Sequence, residues 1–288
     1  MILIVTFRGQ NLQMNFIVNT MDIKDTIIVI PSYLRAETCK THALFPDNII
    51  KWVYLVTDKE YKQYRKITKN VISLKSDPIH IADRRQFIME SFSDDYKYIW
   101  QMDDDLTYYA RKDKLQKAAK KDIINMFIYM RKQVEKVPYV GVSRRFGNNR
   151  ITEYLDITGV RNSFLVDSKA FKKVGAVFNP IPNFIGEDTH MSICFLNKGY
   201  KTRLVGKYAF EEKSNAPGGC SIVRDPELIK KTTYWMATNH PEVSVRVKKS
   251  NTGWALDKRK DGNAYRVDYN VAWRKAYKPI KKAKWDLK

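Results

Sequence analysis

The chain has 288 residues, 44% of them apolar and 12% aromatic, enough for a sizeable core in one large or two modest domains. Its net charge of +21 attracts polyanions, nucleic acid first among them. No stretch approaches the ~18 uninterrupted apolar residues of a membrane span, and the start MILIVTFRGQ lacks the charged n-region and long apolar stretch of a secretory signal. A membrane protein is thereby excluded and a cytosolic one expected, in the host cytoplasm if the protein is viral. Cys39, Cys194 and Cys220 form no CxxC pair, so their spacing points neither to a disulfide framework nor to a zinc site.

Residues 1–25 are of mixed polarity and read as an extension. From Thr26 an alternation of strands and helices begins. Thr26 to Ile30 reads as a buried strand, Ala36 to Leu44 as a short helix, and Trp52 to Val56 as a second strand. Asp58 to Ile67 is helix-like, Val71 to Leu74 a third strand, Ile81 to Phe92 a helix and Tyr98 to Met102 a fourth strand. Four short parallel strands are expected, with Ser32, Asp58 and the run Asp103-Asp104-Asp105 on one edge of their sheet. Lys121 to Lys136 has helical spacing, with Ile124, Phe127, Ile128 and Val134 on its buried face. Tyr139 to Ser143, Ser163 to Val166 and Lys201 to Val205 read as further strands. Asn179 to Asn183 is a proline-stiffened loop leading to Gly186-Glu187-Asp188 and a helix over Thr189 to Leu196. Asp225-Pro226-Glu227 opens another helix, with a capping Asp and Pro at its first position.

The acidic triplet ends an apolar strand, where ligands gather in open α/β sheets. Three adjacent carboxylates call for a cation, and hard oxygen ligands suit Mg²⁺ or Mn²⁺; a solvated acidic turn is the alternative. The segment from Asn215 to the end holds 17 Lys and Arg against 7 Asp and Glu, a net +10, with aromatics among the cations. Cations for phosphates and flat rings for bases suit nucleic acid, against the alternative of a merely lysine-rich surface.

Taken in order, Pro31-Ser32-Tyr33-Leu34-Arg35 after the first strand, Asp58 after the second, Ala82-Asp83-Arg84-Arg85, the triplet at 103 to 105 and Gly186-Glu187-Asp188 resemble the GT-A glycosyltransferases. The resemblance spans roughly Thr26 to Val205. It implies an α/β fold with a GT-A-like doubly wound, mostly parallel sheet flanked by helices: a catalytic domain over 26–213, followed by a basic C-terminal region over 214–288. With its basic tail, the chain is most similar to phage enzymes that glycosylate hydroxymethylated pyrimidines in DNA, a group related to the TET-associated glycosyltransferases.

The resemblance implies a nucleotide-sugar donor, most simply a UDP-sugar, with Mn²⁺ or Mg²⁺ on Asp105 and on Asp103, which has the donor ribose as its other candidate partner. Pro31, Ser32, Arg35, Asp58, Arg84 and Asp104 are the remaining candidates for the donor pocket. An inverting transfer needs a carboxylate to take the acceptor proton; Asp188 is the candidate base and Glu187 its helper, in that order or the reverse. His190 is a candidate further metal ligand, against a structural role. The DNA-binding candidates are Lys248, Lys249, Trp254, Lys258, Arg259, Lys260, Trp273 and Arg274. The rival expectations are a GT-A enzyme acting on a polysaccharide, lipid or protein, a metal-dependent nuclease, and a non-catalytic DNA-binding protein.

Overall fold

The computed structural model describes residues 23–45, 50–74, 80–151, 153–212, 219, 225–249, 257–258 and 264–279. The chain runs through β1 (Thr26–Pro31), β2 (Lys51–Thr57), α1 (Asp58–Ile67), β3 (Val71–Leu74), α2 (Ile81–Phe92) and β4 (Tyr98–Met102). β1 pairs in parallel with β2 and β4, and β2 with β3, so the four expected strands stand side by side as β3-β2-β1-β4. β1 is apolar without alternation because helices cover both faces of a parallel sheet. Ile28 and Ile30 join Tyr54, Val56, Trp100 and Phe127 on one face, while Ile27 and Val29 join Leu55, Ile99, Met89 and Phe195 on the other.

The chain continues through β5 (Thr107–Arg111), β6 (Leu115–Lys117), α3 (Lys120–Val134), β7 (Tyr139–Arg144), β8 (Tyr154–Asp156), β9 (Ser163–Asp167), α4 (Ser168–Val174), α5 (Glu187–Asn197) and β10 (Thr202–Glu211). The sheet extends beyond β4 as β9-β7-β10-β5-β6. β9 runs antiparallel to β4 and β7, whereas β10 is parallel to β7. No helix among the described residues is long and apolar enough to cross a membrane.

Two expectations change. Ala36 to Leu44 is not an α-helix; only a 3₁₀ turn forms, over Thr41–Leu44. Its backbone is used elsewhere: the Lys40 and Thr41 amides donate to the Asp104 carbonyl at 2.9 and 3.2 Å, and Thr41 Oγ1 donates to the Asp103 carbonyl at 2.8 Å. α3 buries Ile123, Met126, Phe127, Met130 and Val134, a face turned slightly from the one expected, with Ile124 and Ile128 only half-buried.

The C-terminal region is more than a charged tail. It forms α6 (Pro226–Asn239), β11 (Val243–Lys249), β12 (Asp257–Lys258), β13 (Ala264–Val271) and α7 (Trp273–Ala276). α6 starts as expected, with Asp225 Oδ1 accepting from the Leu228 amide at 2.8 Å. The three strands make a separate antiparallel sheet in the order β11-β13-β12. Met236, Val243 and Ala276 pack with Phe184, Ile193 and Leu196, which docks the region on α5.

Candidate active site

The turns following β1 and β4 meet at the carboxyl edge of the parallel strands. The three aspartates point in different directions. Asp104 is buried, accepting hydrogen bonds from Ser32 Oγ and, at 2.7 Å, from Arg35 Nη1. Asp103 accepts from Arg85 Nη2 at 3.0 Å and from Asn162 Nδ2 at 2.7 Å. Asp105 is paired with Arg35 at 3.1 Å. Burial, then the charges of Asp103 and Asp104 and that of Glu212, push the Asp105 carboxyl up to about 7, although Arg35 pulls the other way. Acids so crowded that one holds its proton near neutrality fit a divalent cation, which would take the place of that proton.

Arg85 connects this edge to the second acidic motif. Its guanidinium is buried and bonds Asp103 through Nη2 and Glu187 Oε1 through Nε, at 3.0 and 3.1 Å. Burial opposes its charge, yet Asp103, Glu187 and Asp188 together raise its pKa above the ordinary value. Glu187 and Asp188 form the first turn of α5, which starts at Gly186 with φ +96°. There a Cβ would lie 2.7 Å from Tyr269 Oη, so glycine is required for the turn and for the approach of β13. Asp188 is half-buried, and its Oδ1 accepts from the Thr189 amide at 2.7 Å. Burial opposes the charge of Arg161 too, but Asp188, Tyr269, Asp268 and Glu187 raise its pKa.

The structure relocates several expected ligand contacts. Pro31 and Ser32 are buried, and Ser32 Oγ also bonds Tyr64 Oη at 2.5 Å. Arg84 turns inward to the Ser32 carbonyl and stacks 4.9 Å over the Tyr33 ring. Asp104, Ser32 and Arg84 are buried and shape the β1 turn from within. Arg35 lies at the rim, against Gly219, whose amide donates to the Tyr33 carbonyl at 2.7 Å. Asp58 stands exposed at the start of α1, while Glu60 reaches back to the Leu34 amide at 2.5 Å and Thr57 Oγ1 at 2.8 Å.

His190 does not join the acidic triplet. Two residues after Asp188, it projects roughly 200° around the helix from it, onto His240, Trp235 and Phe184. Trp273 is also corrected: a Cβ on Gly159 would lie 2.6 Å from its ring, so it docks α7 and is not a free ring for base stacking. Lys249 and Arg274 are exposed, and Lys248 bonds Asp268 at 3.3 Å. Trp254, Arg259, Lys260 and the side chain of Lys258 lie outside the described residues.

Sequence reasoning missed Arg85, Glu60, Asn162, Glu212, Arg161 and Tyr269 as parts of the site. Arg85 carried a signal, as half of an arginine pair, but adjacent helical residues point about 100° apart and the spacing did not say which one turns to the acids.

A solved structure of TarS from S. aureus aligns with 74% of this chain at 10% identity and a TM-score of 0.50; this chain spans 64% of that one, less than two thirds. Glucosyl-3-phosphoglycerate synthase from Mycobacterium tuberculosis, solved with Mn²⁺, UDP-glucose and phosphoglyceric acid, aligns over 50% of this chain and 57% of that one, at 11% identity and a TM-score of 0.35. No curated protein matches the sequence. The mixed sheet, with acids on the carboxyl edge of its parallel half, has the GT-A fold. The model of the TET-associated glycosyltransferases matches residues 26–219, and the chain belongs to that family.

Proposed function

We propose that this protein moves a sugar, with inversion, from a UDP-sugar to the hydroxymethyl group of a modified pyrimidine in double-stranded DNA. The observation that carries the reading is the bridge from Asp103 through Arg85 to Glu187, which joins two acidic motifs more than eighty residues apart at one edge of the sheet. One group of acids then serves the leaving diphosphate and the other the attacking hydroxyl.

Asp103 and Asp105 are the residues that would hold Mn²⁺ or Mg²⁺, with Glu212 close by. The ion supplies neutralisation of the charge that grows on the leaving nucleoside diphosphate. Arg35, at the rim beside Asp105, is a cation for the same phosphates, and exposed Asp58 is open to the base. Asp188 takes the proton of the acceptor hydroxyl as its oxygen bonds the anomeric carbon and the bond to the diphosphate breaks. Glu187, fixed by Arg85, holds the first turn of α5 so that Asp188 faces the acceptor side.

The DNA acceptor is supported by charge beside this site. On β11 and β13, Arg246, Lys248 and Arg266 all lie within 3.6 Å of the single carboxylate Asp268, an excess of positive charge on a surface that adjoins Gly186 through Tyr269. Phosphate binding through Lys248, Lys249 and Arg274 predicts affinity that falls steeply with salt.

The test incubates the protein and Mn²⁺ or Mg²⁺ with UDP-sugars and DNA containing or lacking 5-hydroxymethylpyrimidines, then digests the DNA to nucleosides for mass spectrometry. A gain of one sugar mass on the modified base alone is expected. No gain on any modified base rejects the DNA acceptor and favours a polysaccharide, lipid or protein. Full activity in Asp105→Ala rejects the metal assignment.

A further inference from the structure

His190 and Cys194 lie one turn apart on the same face of α5, where they meet His240 just past the end of α6. Donor atoms of the three side chains lie within 4.8 Å of one another. His190 Nδ1 is 2.8 Å from His240 Nε2 and 3.7 Å from Cys194 Sγ. Both imidazoles are buried, 5% and 6% exposed.

The proton count is what makes the cluster informative. A neutral imidazole carries one N–H. The His190 ring also interacts with the Val177 backbone, and its Nε2, like its Nδ1, lies 3.7 Å from Cys194 Sγ. His240 turns Nδ1 toward Glu242 Oε1 at 3.9 Å, and that carboxylate is buried and held by Asn197 Nδ2 at 3.0 Å. With one N–H between them the two rings share a hydrogen bond across 2.8 Å; with both protons on the outer nitrogens, two lone pairs would face each other there, beside a thiol. A cation between them resolves the conflict, and it is either an extra proton or a metal ion.

We propose that His190, Cys194 and His240 bind a zinc ion that pins α6 and the basic sheet to α5. Imidazole nitrogen and thiolate sulfur are the donors zinc prefers, and three protein ligands leave one tetrahedral position open to water. The outer partners Val177 and Glu242 orient the imidazoles, as second partners do around bound metals. On loading, the Cys194 thiol gives its proton to solvent and the thiolate bonds the ion, with no change of oxidation state. Around zinc the two nitrogens would part to about 3.3 Å, while a nitrogen and a sulfur stand about 3.6 Å apart, close to the separation seen for Cys194.

The full chain, expressed with zinc in the medium and purified without a metal-affinity step, is analysed by inductively coupled plasma mass spectrometry. Roughly one zinc per chain is expected. It should persist in Asp105→Ala and be lost in Cys194→Ala and His240→Ala. Glu242→Gln, which leaves all three ligands in place, should weaken zinc binding roughly 10–100-fold. Cobalt-loaded protein should show a thiolate-to-cobalt charge-transfer band that Cys194→Ala lacks. A folded wild-type chain with neither zinc nor that band overturns the proposal and leaves the proton-sharing pair, as does zinc that survives both ligand substitutions. None of these readouts depends on the sugar donor or the DNA acceptor.

Discussion

The strand-edge site and the C-terminal sheet handle charge in opposite ways. Around the β1 and β4 turns, Asp104, Arg84, Arg85, Glu60 and Glu187 are buried, each held by a partner from a different element. On β11 and β13, Arg246, Lys248 and Arg266 keep 39–44% of their side-chain surface exposed around one shared carboxylate. Buried, paired charges make a rigid frame that is costly to disturb. Exposed cations screened by salt contribute little to folding and remain available to a polyanion. The first region thus holds its groups in fixed places, and the second suits the polyanion of the proposed function.

Substitutions test that contrast. Arg85→Ala leaves Asp103 and Glu187 without their buried cation and should cost about 3–5 kcal/mol of stability, read from urea unfolding, with transfer activity falling to background. Arg85→Lys should rescue it poorly, since one ammonium cannot replace a fork that bonds two acids. Asp188→Asn should lower turnover by about 10²–10⁴-fold with the melting temperature unchanged; a destabilised variant instead would make Asp188 part of the frame. Gly159→Ala drives a Cβ into Trp273 and should destabilise the chain by about 1–3 kcal/mol in thermal or urea melts. Smallest in folding terms, Lys248→Ala with Lys249→Ala should leave stability within about 0.5 kcal/mol. The same pair should flatten the dependence of DNA affinity on salt by about one unit of log–log slope per phosphate contact removed. An unchanged slope would move the nucleic-acid face elsewhere.

The two regions also differ in how far they could be read from sequence. In the first, Ile27 to Ile30 and Val53 to Val56 are unbroken apolar runs and Tyr98 to Met102 is broken only by Gln101, and the three form parallel neighbours as expected. The acidic triplet was legible because it follows such a run directly. Ala36 to Leu44 misled because its amides and Thr41 hydroxyl serve the triplet, a demand that comes from sixty residues away. In the second region the lysines and arginines of β11 and β13 drew attention as charge, while the alternation of Val243, Val245 and Val247 that marks a strand passed unread.

The amino-acid sequence by itself determined the strand–helix alternation, the acids at the end of β4 and the basic character of the C-terminal region, because periodicity, turn residues and charge are local properties. Only the tertiary structure decided that Arg85 rather than Arg84 meets the acids, that Trp273 docks a helix, and that His190 leaves the triplet for Cys194 and His240. Cysteine spacing could not have shown that last cluster, since His240 comes from the residue after another helix, fifty residues on. Successive helical side chains diverge by about 100°, and which of them finds a partner is settled by elements that meet only when the chain has folded.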